Sequence, residues 1–441
     1  MIQDNQTHMH PKMRYTYVGC DSHKQSHTFV FIDCFFKKLG ELTVSNMPSD
    51  FPKFLTDAQQ FRLPHTDFYF SFEDISRYGR MMVKFLMREG YQVKHVNANL
   101  VASERNSRNI LHKNDSVDAE CCARVLLNRF DELPLAGDDD RFFIINMLVT
   151  KRQSMSRHSR RLKSQLHDLL FEQYPNYHQF FSRLDTKSAL AFYEKYPTPH
   201  TLEKVTEAEL TDFFNQIITI GRAKQKAKLI LEKTKDTGVK KVIYQETIDS
   251  TIRLTVKQLR SNLHDIALIE SQMADFLTHF NITLTSMKGI DTLTACRIIA
   301  EVKDINRFKN AAALAKFAGI SPTTHASGNH EVQYANSRGN RQLNSIFSSL
   351  ALFVSMPLAG TNLIVNPFFH AHYNKKLSEG KTHKQALKSV SRRLVNIIYG
   401  MLKHGEDYIN PPVTYIKETG EILQPNPSQL THQTKMQSSL K

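Results

Sequence analysis

Four acidic side chains in the N-terminal part of this sequence could together perform chemistry on a phosphodiester. Asp21 lies in VGCDSHK, and Glu73 follows the aromatic run DFYFSF. Asp115 and Asp118 stand three residues apart in KNDSVDAECCARVLL, so on a helix they share one face. Carboxylate oxygens favour Mg²⁺ or Mn²⁺, and two such ions can stabilise the attacking and leaving oxygens of a phosphodiester. The acids therefore predict a metal-dependent reaction.

Each acid taken alone has a simpler explanation. Asp21 could simply end a strand, and Asp115 could cap a helix. Asp74 could act in place of its neighbour Glu73, which we rank first. Acids at the ends of successive elements, in this order, are more specific than any one of them.

The elements that would position these acids follow from short apolar and aromatic runs. Strands are predicted at Tyr15–Cys20, Thr28–Cys34, Glu41–Val44, Asp67–Phe72 and Tyr91–Val96. One helix is predicted around Asp50–Phe61, and another between the last two strands. A three-stranded meander followed by alternating helix and strand is the element order of an RNase-H-like α/β domain. In such a sheet the first and fourth strands are neighbours, so the acids would converge.

The region 146–283 is predicted to be helical. Leucine or methionine recurs every seven residues from Leu148 to Leu169. A second heptad seam comprises Ile252, Val256, Leu259, Leu263, Ile266, Met273, Leu277 and Phe280. This pattern predicts a coiled coil or a long helical hairpin, with self-association through the seam, and a helix packed on its own domain is the rival interpretation. Prolines between the two segments would break helices there, which indicates an inserted helical subdomain near 173–245; they are Pro175, Pro197 and Pro199.

Three C-terminal segments could contact nucleic acid. The segment 288–295 resembles a helix–hairpin–helix turn in which Gly289 lets backbone N–H groups approach a phosphate, although an ordinary interhelical turn is as good an explanation. Ser327-Gly328 and Arg338-Gly339-Asn340-Arg341 would suit a nucleophilic serine beside a phosphate-binding surface, or a plain turn. Lys384, Lys388 and Arg392 form a basic stripe that fits phosphate contacts or a solvated face.

Composition limits the class of protein. The 441 residues carry a net charge of +15, with a pI near 9.4, which favours a polyanionic partner such as nucleic acid. The five cysteines include no CxxC pair, so the sequence predicts neither a disulfide framework nor a zinc site, and a reducing cytoplasm fits best. The polar N-terminus and the Ser, Asn, Pro and Gly within the uncharged stretch 342–369 argue against a signal peptide and a membrane span.

Together these segments resemble the IS-one-ten family of insertion-sequence transposases, also called the DEDD transposases. The resemblance covers most of residues 14–145 and 284–405. In the first range it is carried by Asp21, Glu73 with the following Tyr78-Gly79, and the run Lys113-x-Asp115-x-x-Asp118-Ala119. In the second it is carried by Gly319-Ile320-Ser321-Pro322, Ser327-Gly328 and Arg338-Gly339-Asn340.

The resemblance implies a RuvC-like catalytic domain over 14–145, a coiled-coil region over 146–283 and a transposase domain over 284–405. It implies divalent metal bound by Asp21, Glu73, Asp115 and Asp118, and attack of Ser327 on a DNA phosphate to form a phosphoserine link. Lys113 is expected to contact nucleic acid. A dimer or tetramer and a non-coding guide (bridge) RNA that recognises donor and target DNA are also implied. Residues 1–13 and 406–441 are expected to be flexible.

Three alternatives to a transposase stay open at this stage. A site-specific invertase would share the same motifs. A RuvC-like nuclease would cut branched DNA by hydrolysis, without using Ser327. A basic oligomeric protein that binds nucleic acid structurally, or an inactivated transposase, would need none of the acids.

Overall fold

A computed structural model of the chain describes residues 10–73, 75, 77–137, 139–217, 221–235, 241–327, 330–334, 336, 339–409, 415–416 and 422–423. Only the backbone is described at 323–327, 330–334, 415–416 and 422–423. The chain divides into two compact units: residues 1–143 with 304–309, and residues 144–303 with 310–441. The N-terminal part has mixed α/β structure and the remainder is mostly helical. The predicted fold class is therefore confirmed as a mixed α/β domain followed by mainly helical structure.

The first unit is built on a five-stranded sheet. Its strands are β1 (Tyr15–Ser22), β2 (Ser26–Ile32), β3 (Lys38–Ser45), β4 (Asp67–Phe72) and β5 (Gln92–His95). The order across the sheet is β3-β2-β1-β4-β5; the first three strands are antiparallel, and β4 and β5 run parallel to β1. All five predicted strands are confirmed, with ends shifted by up to three residues. The prediction that the first and fourth strands are neighbours is confirmed as well.

Helices cover both faces of this sheet. They are α1 (Phe51–Ala58), α2 (Arg80–Arg88), α3 (Ala98–Ser107) and α4 (Asp115–Asn128). Alternate residues of each strand point to opposite faces. An aromatic core of β-strand phenylalanines packs with α1 and α2, and Val18 and Cys20 belong to it. Tyr17 belongs to the core on the other face, with α3 and α4. By the same alternation Asp21 lies on the face covered by α4.

The second unit contains two long antiparallel helices. They are α5 (Asp140–Gln173), which begins in the first unit, and α9 (Gln245–Leu277). The Asn262 amide donates to the Ser159 hydroxyl at 2.6 Å, and the Arg152 guanidinium donates to the Glu270 carboxylate at 2.6 Å. Between them the chain forms α6 (Lys187–Lys195), α7 (Glu207–Asn215) and α8 (Ala223–Lys235). The two long helices therefore form a hairpin with an inserted helical subdomain.

The heptad seam of α9 is largely buried inside its own chain. Ile252, Val256 and Leu259 are each 0% exposed and belong to one core with Leu162 and Leu166 of α5 and with the inserted subdomain. The rival interpretation, a helix packed on its own domain, therefore describes this part of the seam. Self-association through these three residues is not compatible with the packed chain.

The inserted subdomain carries a buried acid with two basic partners. The Arg183 guanidinium and the Lys163 ammonium donate to the Asp185 carboxylate at 2.8 Å and 2.9 Å. The side chain of Asp185 is 7% exposed. These partners hold the pKa of the Asp185 carboxyl well below its usual range, Arg183 contributing most.

The remainder of the second unit is mainly helical. It comprises α10 (Thr292–Val302), α11 (Ala311–Phe317), β6 (Thr323–Ser327), β7 (His330–Tyr334), α12 (Arg341–Ser355), α13 (Pro367–Ser378) and α14 (His383–His404). A further short ladder pairs β8 (Tyr415–Ile416) with β9 (Ile422–Leu423), inside the tail that was expected to be flexible. Across the described residues, every helix is too short or too polar to cross a membrane.

Candidate active site

A glycine lets α4 lie directly against the strand that carries Asp21. A Cβ atom placed on Gly19 would be 2.0 Å from the carbonyl oxygen of Ala119 and 2.3 Å from the backbone nitrogen of Ala123. Any larger side chain would therefore push the helix away from β1. Because Asp21 follows Gly19 on the same face, this close approach brings the start of α4 to Asp21.

Helix α4 begins where two of the predicted acids are needed. The Asn114 side chain caps it by accepting from the backbone N–H of Val117 at 2.8 Å. Asp115 and Asp118 lie in the first turn, where the positive end of the helix dipole favours negative charge. Asp118 is 7% exposed, whereas the Asp115 side chain is 55% exposed.

Asp21 and Asp115 meet through a histidine that the sequence analysis did not select. The Nε2 atom of His23 lies 3.3 Å from an Asp21 carboxylate oxygen and 3.2 Å from an Asp115 carboxylate oxygen. Ligand atoms of all three side chains lie within 4.8 Å of one another, close enough to hold one metal ion. The signal was present in the sequence, since His23 stands only two residues after Asp21.

Asp118 and Glu73 add negative charge near this group. The Arg105 guanidinium of α3 donates to the Asp118 carboxylate, and the Lys113 ammonium lies 3.9 Å from it. Glu73 comes directly after β4, and the charges of Asp21 and Asp118 act on it. Within the described residues, the ligand atoms grouped closely enough to hold one ion belong to Asp21, His23 and Asp115, while Glu73 and Asp118 interact with Asp21 through charge. Asp74 lies outside the described residues, and Arg105 was missed because nothing in its local sequence marks it.

The acids of the cluster disfavour each other's charge. Burial raises the pKa of Asp21, and Asp115 and Asp118 raise it further, while His23 opposes the increase. Burial likewise raises the pKa of Glu73, and Asp21 and Asp118 add to this effect. Burial lowers the pKa of His23, but its attraction to Asp21 and Asp115 outweighs burial, so the pKa rises.

This donor set fits a divalent cation. Partly buried carboxylates that repel one another are costly as neighbouring anions, and a cation between them would offset the repulsion. Oxygen donors supplied mainly by aspartate and glutamate match the hard ions of the Mg²⁺ and Mn²⁺ class. The Lys113 side chain, beside Asp118, is 73% exposed.

Ser327 ends β6 rather than lying in an open loop. Its backbone pairs with that of His330 across the β6–β7 hairpin. Its side chain, together with Gly328 and Arg338, lies outside the described residues. At the base of the hairpin, a Cβ atom on Gly339 would be 2.3 Å from the Cα atom of Gly319, so the two backbones touch. Two glycines therefore fix where the hairpin leaves the helical body.

Two of the three cations in the predicted basic stripe of α14 are engaged within the protein. The Lys388 ammonium donates to the Gly319 carbonyl oxygen at 3.1 Å, and the Arg392 guanidinium donates to the Ser321 hydroxyl at 3.1 Å. Burial lowers the pKa of Lys388. Lys384 is exposed. Lys388 and Arg392 thus hold the chain that enters β6, and their contact with phosphate stays a prediction.

The other predicted nucleic-acid contacts also have local structural roles. Asn340 caps α12 by accepting from the Leu343 N–H at 2.8 Å, and its amide donates to Glu301 at 2.7 Å. Arg341 is exposed at the first position of α12. Gly289 has φ of 108°, and a Cβ atom there would be 2.7 Å from the Val354 side chain. Backbone conformation and packing therefore account for this glycine, as in an ordinary turn.

Comparison with known families finds a transposase match for the region with the four acids and for the region with the β6–β7 hairpin. The model of a transposase family, the IS110-type DEDD transposases, matches residues 18–175. The model described as the transposase IS116/IS110/IS902 family matches residues 282–361. The first match spans all four acids, and the second spans the β6–β7 hairpin.

Individual relatives give the same result. The chain is 27% identical over 308 residues to the insertion element IS110 43.6 kDa protein of Streptomyces coelicolor, covering 67% of this chain and 72% of the relative. It is 24% identical over 413 residues to the insertion element IS116 44.8 kDa protein of Streptomyces clavuligerus, covering 90% and 97%. A pilin gene-inverting protein of Moraxella bovis is 26% identical over 204 residues, 46% of this chain and 59% of the relative. The chain belongs to the IS110 family of transposases, and it is a DNA transposase or recombinase.

Proposed function

We propose that this transposase cuts and rejoins DNA with a divalent-metal carboxylate cluster and Ser327 as the nucleophile. The observation that carries the proposal is the convergence of Asp21 and Asp115 from β1 and α4, with Glu73 and Asp118 in the same electrostatic neighbourhood. These acids are separated by up to 97 residues in the sequence. Carboxylates from distant parts of the chain at one sheet edge would suit metal-dependent phosphodiester chemistry.

The fold supports a RuvC-like, RNase-H-like domain for residues 14–145. Its support is the mixed sheet in which an antiparallel meander continues into parallel strands β4 and β5. We assign residues 146–283 to a helical hairpin region of coiled-coil type and 284–405 to the transposase domain, with short flanks at 1–13 and 406–441.

Asp21, Glu73, Asp115 and Asp118 would hold Mg²⁺ or Mn²⁺. When bound, the ion would neutralise charge on a DNA phosphate and lower the pKa of an oxygen that reacts there. The chain's own residues prepare the site: Arg105 fixes the orientation of the Asp118 carboxylate through a charge-assisted hydrogen bond. Lys113, exposed beside that carboxylate, would contact the phosphate backbone.

Ser327 would supply the attacking oxygen. Its hydroxyl oxygen would form a bond to phosphorus as the bond from phosphorus to a deoxyribose oxygen breaks. The proton that the hydroxyl gives up would be balanced by the proton that the leaving oxygen takes up, with water exchanging between them. The product is a phosphoserine ester, which a second DNA hydroxyl would resolve by the reverse substitution. Support comes from the family match over 282–361 and from the hairpin base, where Gly319, Gly339 and Lys388 hold the backbone in place.

The partners we propose are the DNA ends of the element, the target DNA and a structured guide RNA. The net charge of +15 suits such polyanions. We also propose a homo-oligomer, a dimer or tetramer, and a cytoplasmic location where DNA is accessible. Surfaces other than the buried Ile252, Val256 and Leu259 would have to mediate assembly.

Site-specific inversion is the second candidate function. Similarity to a pilin gene-inverting protein of Moraxella bovis favours it. Both reactions need the same strand cleavage, so they differ in the arrangement of the DNA sites. A plasmid assay with two candidate sites in inverted orientation would separate the two, because an invertase flips the intervening segment.

The central test is covalent capture of labelled DNA. The wild-type protein should form a protein–DNA adduct in the presence of Mg²⁺ or Mn²⁺, and both Asp21→Asn and Ser327→Ala should abolish it. Asp67→Asn and Ser345→Ala are matched controls, since both residues are exposed and Asp67 begins β4 at the opposite sheet edge. Cleavage that survives Ser327→Ala would support a hydrolytic RuvC-like nuclease. Cleavage that survives Asp21→Asn would refute the metal cluster.

A further inference from the structure

His23 holds an unusual position between two acids. Its single Nε2 atom faces an Asp21 oxygen at 3.3 Å and an Asp115 oxygen at 3.2 Å. A nitrogen that carries one hydrogen cannot donate a straight hydrogen bond to two oxygens at once. Nearly equal distances to both carboxylates are therefore not what a simple hydrogen bond would give.

The distances themselves point to a shared ion. Charge-assisted hydrogen bonds between nitrogen and carboxylate are about 2.7–2.9 Å long. Neighbouring ligand atoms around one octahedral ion, each about 2.1 Å from it, lie about 3.0 Å apart. The separations of 3.2 Å and 3.3 Å at His23 are closer to the second value. The His23 nitrogen is thus spaced from each carboxylate oxygen like a neighbouring corner of one coordination sphere, and all three ligand atoms lie within 4.8 Å of one another.

The site is also open to an ion from solution. The side chains of His23 and Asp115 are 51% and 55% exposed, while that of Asp21 is 18% exposed. Asp21 is thus the most buried of the three ligands, and His23 and Asp115 lie on its solvent side. An ion can enter without rearrangement of the core.

We propose that His23 is a direct ligand of the divalent ion, together with Asp21 and Asp115, and that its nitrogen makes the site prefer Mn²⁺ to Mg²⁺. Mg²⁺ favours oxygen ligands and keeps much of its water, whereas imidazole nitrogen suits first-row transition ions. This inference rests on the proposed function and deepens it by naming a nitrogen ligand and the class of ion it selects.

The test is electron spin-echo spectroscopy of Mn²⁺ bound to the full-length protein, without DNA. Coordinated imidazole gives a ¹⁴N modulation that oxygen ligands do not. We would compare wild type with His23→Asn, Asp21→Asn and a control, His65→Asn. His65 precedes β4 at the opposite sheet edge, and its φ of 60° is one that asparagine tolerates. Calorimetric titration with Mn²⁺ and with Mg²⁺ would give both affinities.

Wild type and His65→Asn should show the ¹⁴N modulation, and His23→Asn should lack it. His23→Asn should also weaken Mn²⁺ binding about 10-fold or more, with a smaller loss for Mg²⁺, so the Mn²⁺ preference falls. Bound Mn²⁺ without ¹⁴N modulation in the wild type would overturn the inference, as would an unchanged ratio of the two affinities in His23→Asn.

Asp21→Asn separates this inference from the proposed function. If Mn²⁺ binding depends on Asp21 but shows no nitrogen coupling, only the role of His23 fails. If Asp21→Asn binds Mn²⁺ as tightly as wild type, the carboxylate cluster itself is not the metal site, and both proposals fail together.

Discussion

Replacing Gly19 by alanine tests whether the contact between β1 and α4 assembles the acidic cluster. The added Cβ atom would lie 2.0 Å from the Ala119 carbonyl oxygen, against 3.4 Å or more in an ordinary contact. Both obstructing groups, at Ala119 and Ala123, are backbone atoms, so no side chain can rotate away. Helix α4 must therefore retreat by more than about 1 Å, well beyond the ~0.5 Å tolerance of a catalytic constellation.

Two separate effects should follow in Gly19→Ala. Overpacking costs about 1–3 kcal/mol, so chemical denaturation should show a lower free energy of unfolding, near the upper end of that range. A misplacement of about 1 Å can reduce a rate about 10²-fold, and strand cleavage should fall by that order in the protein that remains folded. Metal affinity should fall too, because Asp115 moves away from Asp21.

Gly137→Ala is the matched control. A Cβ atom there has no neighbour within 4 Å, so both stability and cleavage should stay near wild type. If Gly19→Ala binds metal and cleaves DNA like wild type, the acids do not depend on this helix contact, and our account of how the site is assembled is wrong.

Three further outcomes are expected. Asp185→Asn should lower Tm at pH 7, and the difference in Tm from wild type should shrink as the pH falls. The reason is that the pKa of Asp185 is lower in the folded protein than in the unfolded chain, where it is about 3.9, so its charge stabilises the fold above that pH and this contribution is lost as the carboxyl takes up a proton at lower pH. Lys388→Met should speed hydrogen exchange of the β6–β7 amides and leave the salt dependence of DNA binding unchanged. Lys384→Met, at an exposed position, should leave that exchange unchanged and reduce the salt slope of DNA binding. Leu259→Ala should lower the free energy of unfolding by about 2–5 kcal/mol without changing the mass in solution, whereas Leu254→Ala, at an exposed position, should change stability little. A changed mass with unchanged stability would show that the seam mediates self-association.

The sheet of the first unit was predictable because its strands are short runs with clear boundaries. The position of the acids followed from element order: neighbouring strands β1 and β4 end at one edge, and Asp21 and Glu73 end or follow them. His23 could have been found as a potential ligand close to Asp21 in the sequence, since it is two residues beyond it. Arg105 could not, because its contact with Asp118 depends on how α3 packs beside α4.

The heptad seam shows why spacing alone does not identify a partner. A seven-residue repeat predicts an apolar face, and Ile252, Val256 and Leu259 do form one. The same pattern arises whether the covering surface belongs to a second copy or to the same chain. Here α5 and the inserted subdomain cover it, as the shared core with Leu162 and Leu166 and the contact of Asn262 with Ser159 show.

The basic stripe of α14 shows a similar ambiguity for charge. The stripe consists of positively charged side chains spaced four residues apart, so the sequence alone predicts one role for Lys384, Lys388 and Arg392. A buried carbonyl and a phosphate both attract an ammonium group, and the difference lies in which surface the helix faces. Lys388 points to the Gly319 carbonyl beneath the hairpin, whereas Lys384 stays exposed. If α14 helps this transposase bind DNA, Lys384 is therefore the cation on this stripe whose loss should weaken binding, while loss of Lys388 should disturb the Ser327 hairpin.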